Sequence, residues 1–532
     1  MATTYTTPGV YVEEVPSSSA TLTAGATAVA AFVGFTAKSP PIDDPINDPK
    51  GLKPRMVTSW TQYESLYGGF APGIMLPHSV YGYFNNGGSV AYIVRVPHNV
   101  PATEAGTLAL SAGDRTLGPA VEFTTVKPNA PISVNVTPEP KGDDPKAPPS
   151  FTVTVIEPGV KDEPFEGITL MPGKRSIDTV FKDHPRVRVA TKIDTTKLAN
   201  DLASLQAGTF AIEPAAPTTV MPDGTAFAGN SAKREGIEGL VIADDVTMVM
   251  VPDLITAARK KKADGSDDGY DEVMWKTVQL GLINHCEGQK NRMAILDAPP
   301  GKNAQQIKEW RKDSMYDSQF AALYYPWISV NNPAAPPEAT NGDKTIMIPP
   351  SGHIAGIWAR NDNTRGVWKA PANEVVRGAL SLELDITHAE QGTVNMDGVN
   401  CIRAFGTRGI RVWGARTLSS NTDWQYINVR RLFNMVETAI MDGTQFAVFE
   451  PNDQKLWEGL KRTVSAFLRG LWRDGALFGA TAEQAFYVKC DNETNPPESI
   501  DQGRVVVEVG IAPVKPAEFV IFRIAQIKET SA

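Results

Sequence analysis

Apolar positions in this chain follow two rhythms, and the rhythm changes along its length. Residues 28–35 form a continuous apolar run of strand length, the pattern of a strand buried on both faces. A loop dense in Pro and Asp follows at 39–53. Residues 57–96 then predict helix, glycine turn, helix and strand. Trp60, Tyr63, Leu66 and Tyr67 make the first helix, which Gly68-Gly69 stop. Residues 78–85 form the second, Asn86-Gly87-Gly88 turn it, and 90–96 is a buried strand. From Gly239 the same alternation returns, with strands at 246–251, 293–296 and 319–325 and helices at 271–287 and 304–313. Alternating elements of this kind predict an α/β core containing parallel strands.

Between these stretches the pattern switches. Residues 98–235 are rich in Pro, Thr and Val, with period-two runs such as Ser133-Val134-Asn135-Val136 and Phe151-Thr152-Val153-Thr154-Val155. They predict a mostly β domain inserted at the surface, dividing the α/β core into 21–97 and 236–408. A smaller α+β domain is expected at 409–516. It opens with a strand at 409–414, followed by a polar loop, Ser419-Ser420-Asn421-Thr422-Asp423. Those side chains are expected to cap an amphipathic helix that starts near Trp424 and carries Val429-Arg430-Arg431-Leu432. Two short β-prone segments flank everything: an N-terminal arm at 1–20 containing Val10, Tyr11, Val12 and Val15, and a C-terminal arm at 517–532 containing Phe519, Val520, Ile521, Phe522 and Ile524. A lone strand of this length cannot build its own sheet, so each must pair elsewhere.

With 532 residues the chain has room for three or four domains of about 150 residues. Its 42% hydrophobic and 21% charged residues are those of a globular chain, and a net charge of -9 gives no general attraction to nucleic acid or anionic lipid. Three separated cysteines, Cys286, Cys401 and Cys490, form neither a disulfide framework nor a metal cluster and suit a reducing cytoplasm. The first residues lack the basic and apolar regions of a secretory signal, and no apolar run approaches a membrane span, so no membrane insertion is expected.

Candidate chemistry is thin. Ser351 and His353 are close in sequence, but a nucleophile also needs a base in reach and a third group to orient that base, so a polar turn after Pro349-Pro350 is the plainer reading. The stretch from Asp264 to Gly269 resembles the start of a calcium loop but has Trp275 where the twelfth-position glutamate belongs. Gly301-Lys302 lacks the rest of a phosphate loop, and the six histidines show no zinc spacing. No catalytic, cofactor or metal site is expected. One pattern remains. From 452 to 474 apolar residues recur at helical spacing, while Lys455, Arg462, Arg469 and Arg473 fall within about 40° of one another on the opposite side. Such a ridge is commonly a solvated face; as a functional feature it is a docking strip for an acidic partner.

Several short blocks, in order, resemble contractile tail sheath proteins of phages and phage-like injection machines. They are Pro8-Gly9-Val10-Tyr11-Val12-Glu13-Glu14, Ala30-Ala31-Phe32-Val33-Gly34, Tyr67-Gly68-Gly69, Phe84-Asn85-Asn86-Gly87-Gly88 and Tyr92-Ile93-Val94-Arg95-Val96. Further along come Pro349-Pro350-Ser351-Gly352-His353-Ile354-Ala355-Gly356, Arg365-Gly366-Val367-Trp368-Lys369-Ala370-Pro371-Ala372-Asn373 and Trp413-Gly414-Ala415-Arg416-Thr417-Leu418. The resemblance implies a subtilisin-like, non-catalytic α/β core, and terminal arms exchanged as strands between subunits. It also implies helical polymerisation around an inner tube, with baseplate and terminal cap proteins as further partners. Contraction would then proceed by repacking, without nucleotide. It places the chain in a phage tail or tail-like particle assembled in the bacterial cytoplasm, and makes the Lys455–Arg473 ridge the candidate tube contact. An α/β hydrolase with an inserted domain is the alternative, and a cell-surface adhesin a weaker one. A sheath split over two chains is disfavoured, because N- and C-terminal blocks share one chain.

Overall fold

The continuous apolar runs become the centre of one eight-stranded sheet. Its strands are β1 (Val29–Gly34), β2 (Arg55–Val57), β3 (Val90–Arg95), β4 (Met248–Met250), β5 (Met293–Asp297), β6 (Ala321–Tyr325), β7 (Val399–Ala404) and β8 (Ile410–Val412), in the order β2-β3-β1-β4-β5-β6-β7-β8. Strands β3 through β7 are parallel, and β2 and β8 close the two edges antiparallel. The structure, a computed structural model, describes residues 22–23, 25–40, 48, 50–97, 107–111, 119–126, 132–140, 147–160, 163–192, 205–212, 222–261, 267–335 and 344–523. Val10, Tyr11, Val12, Val15 and Ile524 lie outside them.

Both faces of the sheet are covered, which is why its strands lack alternation. Ala31 and Val33 of β1 join one apolar layer with Val249, Leu296 and Leu323, while Ala30 and Phe32 join the opposite layer with Met250, Ile295 and Tyr324. Helices α1 (Leu76–Asn86), α2 (Glu272–Gln289), α3 (Ala304–Ser314), α4 (Ser351–Arg365) and α5 (His388–Asn395) supply the covers. Trp275 of α2 and Trp310 of α3 pack into the first layer; Val80 of α1 and Trp358 of α4 pack into the second.

Helices α1 and α4 lie backbone against backbone. A Cβ on Gly352 would sit 2.4 Å from the Ser79 carbonyl oxygen, and one on Gly356 2.4 Å from that of Tyr83. Ser351 and His353 are therefore not a polar turn. They occupy the buried first turn of α4, with the His353 ring against Gly82. Two buried carboxylates connect strand ends to helix starts. Asp253 accepts the amides of Phe35, Met75 and Leu76, and Asp297 accepts that of Ser351 at 2.8 Å. Each places a carboxyl at a helix N-terminus, where it accepts amides that have no partner within the helix.

The chain groups into two compact units, Met1–Pro97 with Pro222–Ala532, and His98–Met221. In the smaller unit Gly208–Ala211, Ser133–Pro138, Phe151–Ile156 and Glu163–Ile168 form one antiparallel sheet, and Thr107–Ser111, Pro119–Thr125 and Val187–Thr191 another. Val153, Val155, Val134 and Phe123 fill its core. Residues 222–235, grouped with the insertion on composition, belong instead to the larger unit: Phe227 packs on Phe35 with ring centroids 5.6 Å apart. A single aromatic in a polar stretch gives no periodic signal for that packing.

The C-terminal region of the larger unit contains α6 (Ile427–Gly443), α7 (Gln454–Arg473) and a two-stranded antiparallel sheet of β9 (Phe486–Lys489) and β10 (Glu508–Ile511). Leu432, Met435 and Val436 of α6 meet Val464, Leu468 and Leu471 of α7. The first of these helices starts later than its polar prelude suggests. Residues 415–417 and 425–427 pair with each other, through Thr417 N to Gln425 O and Ile427 N to Ala415 O, so the chain stays extended up to Tyr426. Tyr426 is the N-cap and makes no side-chain cap bond. Ser420 instead donates its amide and hydroxyl to Asp317, and the Asn421 side chain accepts the Asp423 amide, so the supposed caps close a turn. At the far end Phe519, Val520, Ile521 and Phe522 belong to no strand among the described residues.

Candidate interaction surfaces

Helix α7 keeps the two-faced character of its sequence. Asp453 caps it by accepting the Leu456 amide at 2.9 Å. Trp457, Leu460, Thr463, Val464, Leu468 and Leu471 are buried, and Lys455, Arg462, Arg469 and Arg473 are exposed. The one ion pair within the helix, Lys461 to Glu458 at 3.2 Å, lies off the ridge. Among the described residues none of the four ridge cations reaches a carboxylate within 4.0 Å. Gly459 and Gly470 share the exposed side, and nothing lies within 4 Å of a Cβ built on either.

A second surface is apolar. Phe519, Val520, Ile521 and Phe522 are 69–83% exposed, four consecutive large side chains in water. Close by in sequence, β9 and β10 pair only with each other, so each leaves one edge without a strand neighbour among the described residues. Tyr487 of β9 covers Gly510 of β10, where a Cβ would fall 2.1 Å from its ring. Two-stranded sheets are marginal alone, and their open edges present unpaired amides and carbonyls.

Sequence reasoning passed over the two arginines that seat α6. Arg431 makes a buried pair with Asp362 of α4 at 2.6 Å, donates to the Thr27 carbonyl, and stacks 4.7 Å from the centre of the Trp358 ring. Arg430 is enclosed by the rings of Phe320, Trp424 and Phe433 and donates to Asn434, Gln319 and Glu437. Burial pulls its guanidinium below the ordinary arginine value, with Glu437 opposing. Adjacent arginines in a helical pattern look like surface charge; only the partners, 69 and 111 positions away for Asp362 and Gln319, mark them as internal. Among the described residues, no group of three or more His, Cys, Asp or Glu is placed to hold a metal ion, and no helix is long and apolar enough to cross a membrane.

Ser351 and His353, the nearest approach to a nucleophile and base, are sealed inside the α1–α4 crossing. Burial lowers the His353 ring to about 4, with His78 adding to the effect, so it is neutral.

Comparison with known proteins decides the family. Residues 262–418 match the phage tail sheath protein central domain, and residues 419–527 match the phage tail sheath C-terminal domain. The chain belongs to the phage tail sheath family. The tail sheath protein of Vibrio phage KVP40 is 29% identical over 182 residues, which cover 34% of this chain and 26% of that protein. A putative prophage major tail sheath protein of Pseudomonas aeruginosa is 28% identical over 271 residues, covering 46% of this chain and 69% of that one. The chain spans about a quarter to a third of the length of the first curated relatives it matches, at 26%, 35% and 27%. Along its whole length it superimposes on the contracted sheath complex of an extracellular contractile injection system, with a TM-score of 0.56, 25% identity and 100% of each chain covered.

The boundary between the two matched sheath regions falls at Leu418 and Ser419, between β8 and α6. The basic ridge, the two-stranded sheet and the apolar tail therefore all lie in the sheath C-terminal region.

Proposed function

We propose that this chain is the structural subunit of a contractile sheath, polymerising helically around an inner tube and contracting to drive that tube through a target envelope. The observation that carries the proposal is the apolar tail, Phe519 to Phe522, exposed to water in a chain whose C-terminal two-stranded sheet leaves each strand one edge without a strand neighbour among the described residues. A neighbour's arm laid on such an edge gains main-chain hydrogen bonds and covers apolar side chains at once. Repeated head to tail without closing, the contact builds a filament. In this reading both arms are donated to neighbouring copies, Val10, Tyr11, Val12 and Val15 from one end and Phe519, Val520, Ile521, Phe522 and Ile524 from the other. The core is subtilisin-like but non-catalytic, which the sealed positions of Ser351 and His353 support. The partners are further copies, an inner tube protein, a baseplate and terminal caps, within a phage tail or tail-like particle assembled in the bacterial cytoplasm.

Lys455, Arg462, Arg469 and Arg473 form the tube-facing strip, which calls for an acidic tube exterior. That none of the four is within 4.0 Å of a carboxylate among the described residues supports this, since no close ion pair there has to be broken to engage an outside carboxylate.

Negative-stain electron microscopy of the purified chain, beside a variant lacking residues before Ala20, tests the proposal. Hollow helical cylinders are expected from the full chain and not from the truncation. Discrete subunits from the full chain at every salt and concentration would overturn it. Cylinders from both would keep the sheath and remove the N-terminal arm as an essential link.

A further inference from the structure

The last fixed point of the described chain is a carboxylate. Glu518 accepts from Arg416 Nε at 2.9 Å and Nη2 at 2.6 Å, from Asn395 Nδ2 at 2.7 Å and from Tyr426 Oη at 3.2 Å. The two-pronged contact with Arg416 is the fork geometry in which charge-assisted hydrogen bonds are strongest. Both side chains are mostly covered, at 9% and 19% exposure, so solvent screens the pair only weakly. The donors come from three places: the end of α5, the extended segment after β8, and the N-cap of α6. Arg416 is itself held by its backbone, its amide donating to Asn400 Oδ1 at 2.7 Å and its carbonyl accepting from Asn400 Nδ2 at 2.8 Å. The socket is therefore built by elements that pack independently of the tail.

The chain reaches that socket as a strap. Beyond β10, the Val514 amide donates to the Ala476 carbonyl, and the Val514 carbonyl accepts from Asn428. After Glu518 the character changes across a single peptide bond, and Phe519 to Phe522 are exposed.

We propose that Glu518 is a positioning residue for the exchanged C-terminal strand, its socket of Arg416, Asn395 and Tyr426 fixing where and in what phase the arm leaves the subunit. The inference rests on the strand-exchange reading above. Its physical content is register. Side chains alternate along a strand, so Phe519 and Ile521 share one face and Val520 and Phe522 the other, and a slip of one residue would exchange them. Four consecutive apolar residues, Phe519 to Phe522, have no alternation of their own to prevent that slip. A four-donor anchor at its root does. The carboxylate is also in its charged form for the task. Burial alone would raise its pKa, but the bonds from Arg416 and Asn395 outweigh it and hold it below the usual value.

The test uses the full-length chain with Glu518→Gln and Glu518→Asp. Hydrogen exchange on the unassembled subunit reads the anchor. Amides of Val514, Lys515, Ala517 and Glu518 are expected to exchange about tenfold faster or more in Glu518→Gln, the scale of losing charge-assisted bonds, while α7 is unchanged. Electron microscopy reads the arm. Cylinders are expected to be lost or shortened in Glu518→Gln and recovered in Glu518→Asp, which keeps a carboxylate. Unchanged exchange at 514–518 would overturn the anchor. Faster exchange with normal cylinders would overturn its role in the arm and leave the sheath reading standing. If the parent chain itself gives only discrete subunits, both fall.

Discussion

At the scale of single residues, this molecule depends on charges held away from water. Asp297 is buried at the end of β5 with one amide donor, from Ser351, and burial raises its carboxyl to about 7 against that bond. A carboxyl whose folded pKa lies above its unfolded value, about 4, favours folding most when protonated. Its contribution is thus full below about pH 4 and is lost as pH rises through about 7. Asp297→Asn keeps an oxygen facing the Ser351 amide and removes the titration. Melting temperature followed from pH 5 to 8 should decline in the parent chain and decline less in the variant. Arg431 gives the opposite case. Replacing it with Ala leaves Asp362 charged and buried without its partner, a loss of about 3–5 kcal/mol. Denaturant unfolding of the α/β unit should show it, and a variant within about 1 kcal/mol of the parent would mean that water reaches Asp362.

At the scale of elements, α7 holds a contradiction that points outward. Gly459 and Gly470 sit in a long helix with open space where a side chain would go, and each costs about 0.5–1 kcal/mol relative to Ala. Gly459→Ala and Gly470→Ala should each stabilise the chain by about that amount in denaturant titrations. The ridge beside them should respond differently. Arg462→Glu with Arg469→Glu is expected to leave contracted-type polymers intact and to abolish tube-bound extended sheath. Normal extended particles from that variant would remove the ridge from the tube interface. Periodicity made this helix legible, because its two faces follow from spacing alone. The same holds for the parallel strands, whose continuous apolar runs announce burial on both sides. What stayed hidden depends on distant partners. Ser419 to Asp423 have capping side chains, yet Asp317 draws Ser420 into a turn and delays α6 to Ile427. Arg430, Arg431 and Glu518 resemble surface charge until Trp424, Asp362 and Arg416 are brought to them by the fold.

At the scale of the whole molecule, the smaller unit has an apolar core of its own, and its described strands pair only among themselves. Residues 98–221 expressed alone should unfold cooperatively, at a temperature matching one of two transitions in calorimetry of the full chain; a single shared transition would mean that the units fold as one. The larger unit suits a different job. Helices that touch through glycine leave no slack for sliding, so in the sheath proposed above a change in polymer length would be taken up between subunits. Helix α6 bears on how. At its first end Tyr426 grips Glu518, where the C-terminal tail departs. At its other end Gly443 leaves the notch that receives Leu22, just after the N-terminal arm. Seventeen residues of helix separate the two tethers, roughly 25 Å at about 1.5 Å per residue. If neighbours are joined by their ends, this helix is a rigid crossbar between two hinges. Links of constant span can then change a cylinder's height and girth only by tilting, as the slats of a trellis do, and the mesh stays joined throughout.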